Sequence, residues 1–512
     1  MQQVKQLILD RQLPAAIALA RESLKKNPTF VGMCILLSQA YQQNSEFDKM
    51  LASARRVHKL QSQHFSTNVR LIECLIYSGE IREAIQSLDH LHQHLLNNPE
   101  KLAKLSELYL HCAQFYKVDI TLEEAVKLAP TEPQYRYNLA AAKVALGDFA
   151  AAGELLQGVI QQHPQDFDAY YSRSTLQQQT PGNNHIKELE NNLRRWRSKP
   201  AATITLGYAL AKELEDLGEY QRAFKYLEMA AAARRKQMRY KVENDTQTLG
   251  QIAKTFSTDL SSRASKSVER PVFILGLPRS GTTLLERMLS SHSEVGSLGE
   301  VNSFAFSLMH CIGTNSGKTD LIKRSTTADF NRLAEIYSHA TKGYGVDGKR
   351  LIDKTPLNFL YLGLIKLAFP HASIIHLKRH PLDSCFAIYK TLFRMGYPFS
   401  YSLDDLGQYY IAYHRLMEHW RNTFPGGGFL DIEYATLVNQ PEEQARRLVD
   451  FCELRWEAKI MDFHAQPSPS ATASAAQVRQ PVYTSSVGRW KQYTQQLQPL
   501  RQQLTVAGID CA

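Results

Sequence analysis

Residues Pro271 to Glu300 read PVFILGLPRSGTTLLERMLSSHSEVGSLGE, and the rest of the chain is organised around them. Val272, Phe273, Ile274 and Leu275 form a continuous apolar run, the pattern of a strand buried on both faces. A polar turn follows from Gly276 to Gly281, and beyond it apolar residues at 284, 285, 288 and 289 mark one face of a helix. Strand, glycine-bounded loop and helix together aim backbone N–H groups and a helix dipole at one point, which makes a phosphate cradle. The glycines have the spacing of a nucleoside-triphosphatase loop, but Thr282 stands where that loop carries its lysine. The positive charge comes instead from Arg279, inside the loop. Ser280, Thr282 and Thr283 add hydroxyls, and Gly281 completes the expected ligand face.

A chain of 512 residues exceeds one ordinary core and predicts roughly two to four domains. With 44% hydrophobic and 21% charged residues, it is globular in composition rather than disordered. A net charge of +10 suits an anionic ligand. Nucleic acid is not expected, because there is no aromatic–basic ribonucleoprotein pattern, zinc-ligand spacing or recognition-helix signature. Seven scattered cysteines without CxxC spacing predict free thiols and a reducing compartment. No 18-residue apolar run occurs, so a membrane span is not expected, and the start MQQVKQLILDRQLP lacks a signal-peptide core. These features point to the cytoplasm.

Residues 1–240 are helical in pattern and repetitive. Pro130 and Pro164 lie 34 residues apart, as do Ser45 and Gly79, while Gly79 and Gly147 lie 68 apart. A 34-residue period with a turn residue between helices is the tetratricopeptide pattern, and about six or seven units fit. The unit near 169–202, with TPGNNH and LRRWRSKP, departs most from it. One such hairpin cannot bury its apolar face, so neighbours stack into a solenoid with a concave surface. Solenoids of this kind are interaction modules. Holding an acceptor protein, forming a homodimer and docking another partner all remain open. Residues 241–270 read as a linker and 271–512 as an α/β domain.

The string PRSGTTLLERML resembles the 5′-phosphosulfate loop of sulfotransferases that use 3′-phosphoadenosine 5′-phosphosulfate (PAPS). It is most similar to the protein-tyrosine sulfotransferase branch and to bacterial sulfotransferases fused to tetratricopeptide repeats. The similarity runs from about residue 271 to residue 500. It implies that Arg279, Ser280, Gly281, Thr282 and Thr283 grip the phosphosulfate. Glu300, 21 residues after Arg279, falls where the family has its catalytic base, and an attacking hydroxyl does need a proton acceptor. Lys354, in Asp353-Lys354-Thr355-Pro356, resembles the lysine that stabilises charge on the bridging and departing oxygens. Arg379, at the end of ASIIHLKRHP, resembles the arginine that reads the 3′-phosphate; the usual serine eight residues later is Ala387 here, so either Ser384 or another donor takes its place or the 3′-phosphate has one hydrogen bond fewer. His376 and His380 beside it read as structural or surface residues. Tyr434 matches a tyrosine on the adenine side. After a flexible PSPSATAS stretch, Ser474, Gln477, Val478, Pro481 and Arg489 resemble a C-terminal loop closing over the nucleotide, with Ser474 assisting the sulfuryl group.

The expected architecture is therefore an α-helical solenoid of tetratricopeptide repeats followed by an α/β P-loop-type sulfotransferase domain with a central parallel sheet. The expected reaction moves a sulfuryl group from PAPS to an acceptor hydroxyl, with a peptide or protein tyrosine first in line. No metal is expected, since no carboxylate pair is placed for Mg²⁺. A carbohydrate or small-molecule acceptor, a small-molecule P-loop kinase, and a scaffold with an inactive nucleotide-binding domain are the competing readings.

Overall fold

From Gln2 to Lys236 the chain runs as a series of antiparallel helix pairs. The first helices of successive pairs begin at Val31, Phe65, Pro99, Pro133 and Phe167, and the second helices at Leu13, Phe47, Ile81, Phe115 and Phe149; both series advance by 34 residues. The period has a packing cause. Ala16, Met50, Ala84, Val118 and Ala152 form one buried column, and Ala20, Ala54, Leu88, Leu122 and Leu156 a second, so each pair covers the apolar face of the next. The turns repeat as well, with Arg11, Ser45, Gly79, Ala113 and Gly147 all at positive φ. The register then breaks. Helix Phe167–Thr175 is followed by a Thr180–Asn183 bridge around Pro181 and Gly182, then by Ile186–Arg195, and Pro200–Asp216 with Tyr220–Lys236 closes the series. This is a computed structural model, and it describes every residue except 95–96, 257–260, 314–317, 395, 425–427 and 473.

Within the segment read as a linker, Val242–Thr255 is a helix, and its Leu249 and Ile252 join the C-terminal core. Phe256 follows it, with its ring 5.5 Å from that of Trp420.

The C-terminal half is built on five parallel strands: β1 (Val272–Leu275), β2 (Val295–Ser297), β3 (Arg350–Asp353), β4 (Ser373–Lys378) and β5 (Phe429–Glu433), in the order β2-β3-β1-β4-β5. All four β1 side chains are wholly buried, and they divide by alternation. Phe273 and Leu275 pack with Phe304, Tyr337 and Phe369 on one face, while Val272 and Ile274 pack with Leu285, Met288 and Leu437 on the other. The solenoid and the α/β domain with its central parallel sheet thus match the architecture expected from sequence. β1 leads outward to β2 on one side, and β4 leads to β5 on the other. This strand order leaves a crevice beyond the carboxyl ends of β1 and β4, where ligands of such sheets bind.

The two halves are packed against each other. Glu215, in the last repeat pair, accepts from Lys390 at 2.7 Å and from Arg489 and Tyr493 at 3.3 Å. Tyr208 donates to the Tyr389 carbonyl at 3.2 Å. Among the described residues, no helix is long and apolar enough to cross a membrane.

Candidate active site

The loop after β1 holds the residues that sequence singled out. Gly281, at φ +110°, caps the helix Thr282–Ser290, and a Cβ there would sit 2.6 Å from the Tyr434 ring. Thr282 and Thr283 open that helix and are buried. Arg279 adopts φ +65° and turns its guanidinium toward the C-terminal segment, donating to Ser474 Oγ at 2.5 Å and to Gln477 Oε1 at 3.0 Å. Arg379, one residue beyond β4, donates to the Arg279 carbonyl at 3.0 Å and to the Ser486 carbonyl at 2.7 Å. Its guanidinium lies 4.8 Å from the centre of the Tyr434 ring, whose hydroxyl is 2.8 Å from Ser486 Oγ. Segments more than 200 residues apart in sequence, from Arg279 to Ser486, therefore meet in the crevice.

Among the described residues, Ser280 Oγ, Arg279 Nε and Arg379 Nε in this crevice are buried without a hydrogen-bond partner. Unpaired buried donors are rare because each costs about 1–3 kcal/mol. Two guanidinium groups and a hydroxyl with capacity to spare, beneath a glycine cradle, fit an anionic ligand with more than one phosphate-like group.

A second cluster lies beyond β2 and β3. Lys354 is wholly buried, and its Nζ donates to Glu300 Oε1 at 2.5 Å and lies 3.4 Å from Glu286 Oε2. Burial opposes its charge, yet Glu286 and Glu300 hold its pKa above the ordinary lysine value. Glu300 is about half exposed, at 44%. Ser297 donates to Glu286 at 2.6 Å and accepts from the Gly299 N–H at 3.1 Å, while the Gly299 carbonyl accepts from the Lys354 N–H at 3.0 Å. One network thus fixes the base candidate and the cation together. Next to it, burial pushes the Asp353 carboxyl up to about 7, against donations from Thr355, Tyr337 and Asn358.

The second cluster borders a cleft of about 1120 Å³ that separates the repeats from the α/β domain, and Thr283 brings the helix after the loop to the same cleft. Thr283, Glu286, Glu300, Lys354 and Thr472 line one wall, and Gln42, Arg70, Glu73, Glu107 and His111 of the repeats line the other.

Comparison with known proteins finds a family likeness in the C-terminal half. Residues 271–458 match the model of the sulfotransferase family, taking in β1 to β5, Arg279, Glu300, Lys354, Arg379 and Tyr434. Over these residues the chain is similar to the sulfotransferase family. An uncharacterised protein of Aquifex aeolicus (strain VF5) is 29% identical over 394 residues, which is 74% of this chain but only 51% of that protein. A putative protein-tyrosine sulfotransferase of Caenorhabditis briggsae is 25% identical over 43% of this chain and 81% of its own length. Among solved structures, the sulfotransferase domain of the Synechococcus PCC 7002 olefin synthase aligns with 48% of this chain and 98% of its own, at 19% identity and a TM-score of 0.35.

The sulfotransferase domain also places the remaining residues. Val478 is buried and Pro481 exposed in the segment that carries Ser474 and Gln477. Ala473, within the PSPSATAS stretch, lies outside the described residues. Ser384 borders a cavity of about 40 Å³ together with Ser280 and Arg379, and Ala387 is buried one turn further along the same helix. Arg489 stands apart from this group: it bonds Glu215, and its guanidinium lies over Tyr220 of the repeats. His376 is structural in its contacts, 2.6 Å from Asp431 Oδ1 and 2.5 Å from the Tyr413 hydroxyl, whereas His380 stacks on Trp490.

Sequence reasoning passed over Glu286, Arg287, Asp383, Tyr483 and Ser486. Glu286 had a signal, since it lies one turn after Thr282 on the polar side of the helix. The others had none. Arg287 and Asp383 bond backbone groups of a distant segment, and the half-buried Tyr483 lies near Tyr434, Arg279 and Arg379.

Proposed function

We propose that this protein transfers a sulfuryl group from PAPS to the hydroxyl of a polypeptide, most readily a tyrosine. The observation that carries the proposal is the buried Lys354 clasped by Glu300, on the wall of a cleft that Thr283, two residues beyond the Gly276–Gly281 loop, also lines. The donor, when bound, supplies an activated sulfuryl group on a phosphate leaving group. Arg279, Ser280, Gly281, Thr282 and Thr283 hold its phosphosulfate end; Arg379 pairs with the 3′-phosphate, with Ser384 beside it, and Tyr434, Gln477, Val478 and Pro481 enclose the nucleoside. Glu300 accepts the proton of the acceptor hydroxyl as that oxygen forms its bond to sulfur. The sulfur–oxygen bond to the phosphate breaks, and the electron pair leaves on the phosphate oxygen, where Lys354 meets the developing charge. For this step Lys354 exchanges part of its contact with Glu300 for the donor, while Glu286 keeps it oriented. Ser474, held by Arg279, steadies the sulfuryl oxygens. Mg²⁺ plays no part in this scheme.

Support for a polypeptide acceptor comes from the far wall. The cleft exceeds what most small-molecule sites need, about 300–1,000 Å³. Along that wall the repeat period builds a ladder of alternating charge: Arg70 lies 3.5 Å from Glu73, Glu73 lies 3.2 Å from Lys104, and Lys104 lies 3.1 Å from Glu107. A polar rail of this kind suits an extended backbone with mixed side chains. The relation to a putative protein-tyrosine sulfotransferase favours tyrosine over other hydroxyls. The proposed division is repeats over 1–240, a connecting segment over 241–270 and the transferase over 271–512. Seven free cysteines, six of them buried, support a cytoplasmic setting.

The test is to incubate the protein with sulfur-labelled PAPS and, in separate reactions, tyrosine peptides, oligosaccharides and small phenols. Label in peptide, lost in Glu300→Gln and unaffected by a chelator, is the expected result. Label entering only sugars or phenols moves the acceptor class. Phosphate transfer from ATP would replace the reading with a kinase.

A further inference from the structure

The segment from Gln466 to Trp490 carries the Ser474 and Gln477 that meet Arg279, and it is tied down near its start, its middle and its end. At its start, the buried Arg287 of the helix after β1 donates to the Gln466 carbonyl at 2.6 Å and to the Ser468 carbonyl at 2.9 Å. At its end, Asp383 accepts from the Gly488 N–H at 2.6 Å and the Trp490 N–H at 3.0 Å. The middle tie comes from outside the transferase domain. Ser470 N–H and Arg479 Nη2 both donate to the Ala145 carbonyl, at 2.8 and 2.9 Å, and Ala145 belongs to the fifth-repeat helix Pro133–Leu146.

Local chemistry explains why the contact forms there. Ala145 is the second-last residue of its helix, so its carbonyl is one of the four that the helix cannot satisfy internally. The helix dipole also favours a cation at this end, which the Arg479 side chain supplies. Gly147 ends the helix at φ +93°, and a Cβ there would come within 2.2 Å of Arg479 Nε. Gly147 therefore does two things: it takes the left-handed turn and it leaves room for the arginine. The same Arg479 Nη2 lies 3.4 Å from the Ser468 carbonyl, so it also joins the two limbs of the segment.

We propose that Arg479, seated on Ala145 and Gly147, is a positioning residue through which the fifth repeat holds the donor-covering segment over Arg279. The repeats are then a structural part of the donor site as well as a wall of the acceptor cleft. Arg479 touches no reacting atom; it acts through Ser474 and Gln477. The proposal rests on the reading that the Gly276–Gly281 loop takes the nucleotide donor.

The full-length protein is compared with Arg479→Ala, Arg479→Lys and Gly147→Val by two measurements. Hydrogen exchange without ligand is expected to speed up in peptides covering 466–482 in Arg479→Ala and Gly147→Val, with the β1 and β4 peptides unchanged. Calorimetric titration with adenosine 3′,5′-bisphosphate is expected to show affinity falling about tenfold in the same two variants, the scale of one lost charged hydrogen bond. Arg479→Lys, which keeps one donor to Ala145, is expected to recover most of it. Unchanged exchange in 466–482 for both variants overturns the proposal, as does bisphosphate affinity within about twofold of the parent despite loosened exchange. Faster exchange in the two variants, together with a parent protein that binds no bisphosphate, removes the donor reading and, with it, the claim that the contact serves donor binding.

Discussion

Lys354 and Asp353 are neighbours in sequence and both wholly buried, yet they reach opposite electrostatic outcomes. Lys354 has two carboxylates within 3.4 Å and keeps its proton; Asp353 has only neutral donors in hydrogen-bond contact, and burial raises its pKa to about 7. Between about pH 4 and pH 7 the folded protein thus retains a proton that the unfolded chain has released, so stability falls as pH rises through that window. Asp353→Asn cannot titrate and is expected to flatten that fall, which amounts to a few kcal/mol. Urea midpoints at several pH values check this, and equal slopes in the two proteins would refute it. Glu300→Gln is expected to lower kcat by about 10²- to 10⁴-fold while leaving adenosine 3′,5′-bisphosphate affinity unchanged. Steady-state rates and calorimetry on the same preparation separate the two effects. Arg279, Lys354 and Arg379 were legible as candidates because each follows a strand-like run in a recognisable motif, and Glu300 through its 21-residue spacing from Arg279. Glu286 was passed over despite its place on the polar side of the helix, since its role depends on the distance to a lysine just beyond β3.

At the level of elements, the repeat turns record how much a period conveys. Ser45, Gly79 and Gly147 were visible as turn residues 34 or 68 apart. Arg11 and Ala113 occupy the same left-handed position but carry no glycine to announce it. An alanine at φ +55° is strained, and Ala113→Gly is expected to stabilise the fourth repeat by about 1 kcal/mol. Thermal unfolding checks it; an unchanged or lowered midpoint would mean that the turn tolerates its alanine. The interruption at 176–185 was legible as a departure from pattern. The helix Val242–Thr255 shows the limit of composition. Its polar, threonine-containing sequence reads as linker, but Val242, Leu249 and Ile252 fall on one face that the transferase core covers.

For the whole molecule, the junction between the halves centres on Glu215. Burial works against its charge, and Lys390 and Arg489 hold its carboxyl below the usual range. Removing it strands two cations, so Glu215→Ala is expected to cost about 3–5 kcal/mol and to loosen the halves from each other. Coincident unfolding of repeat and transferase probes in the parent, becoming separate in the variant, is the expected signature; unchanged unfolding would show that the apolar contacts alone hold the junction. Arg489 illustrates the same division of information. Its neighbours in sequence resemble a nucleotide loop, while its side chain serves the junction. Local sequence by itself determined the solenoid, the central strand and the cradle after it, because helix period, strand alternation and loop chemistry are set by residues close together in the chain. Tertiary structure alone decided which repeat meets the donor-covering segment, which carboxylates share Lys354, and that the cleft has a wall of repeats. Those depend on how two cores pack, and no spacing along the chain encodes a distance between them.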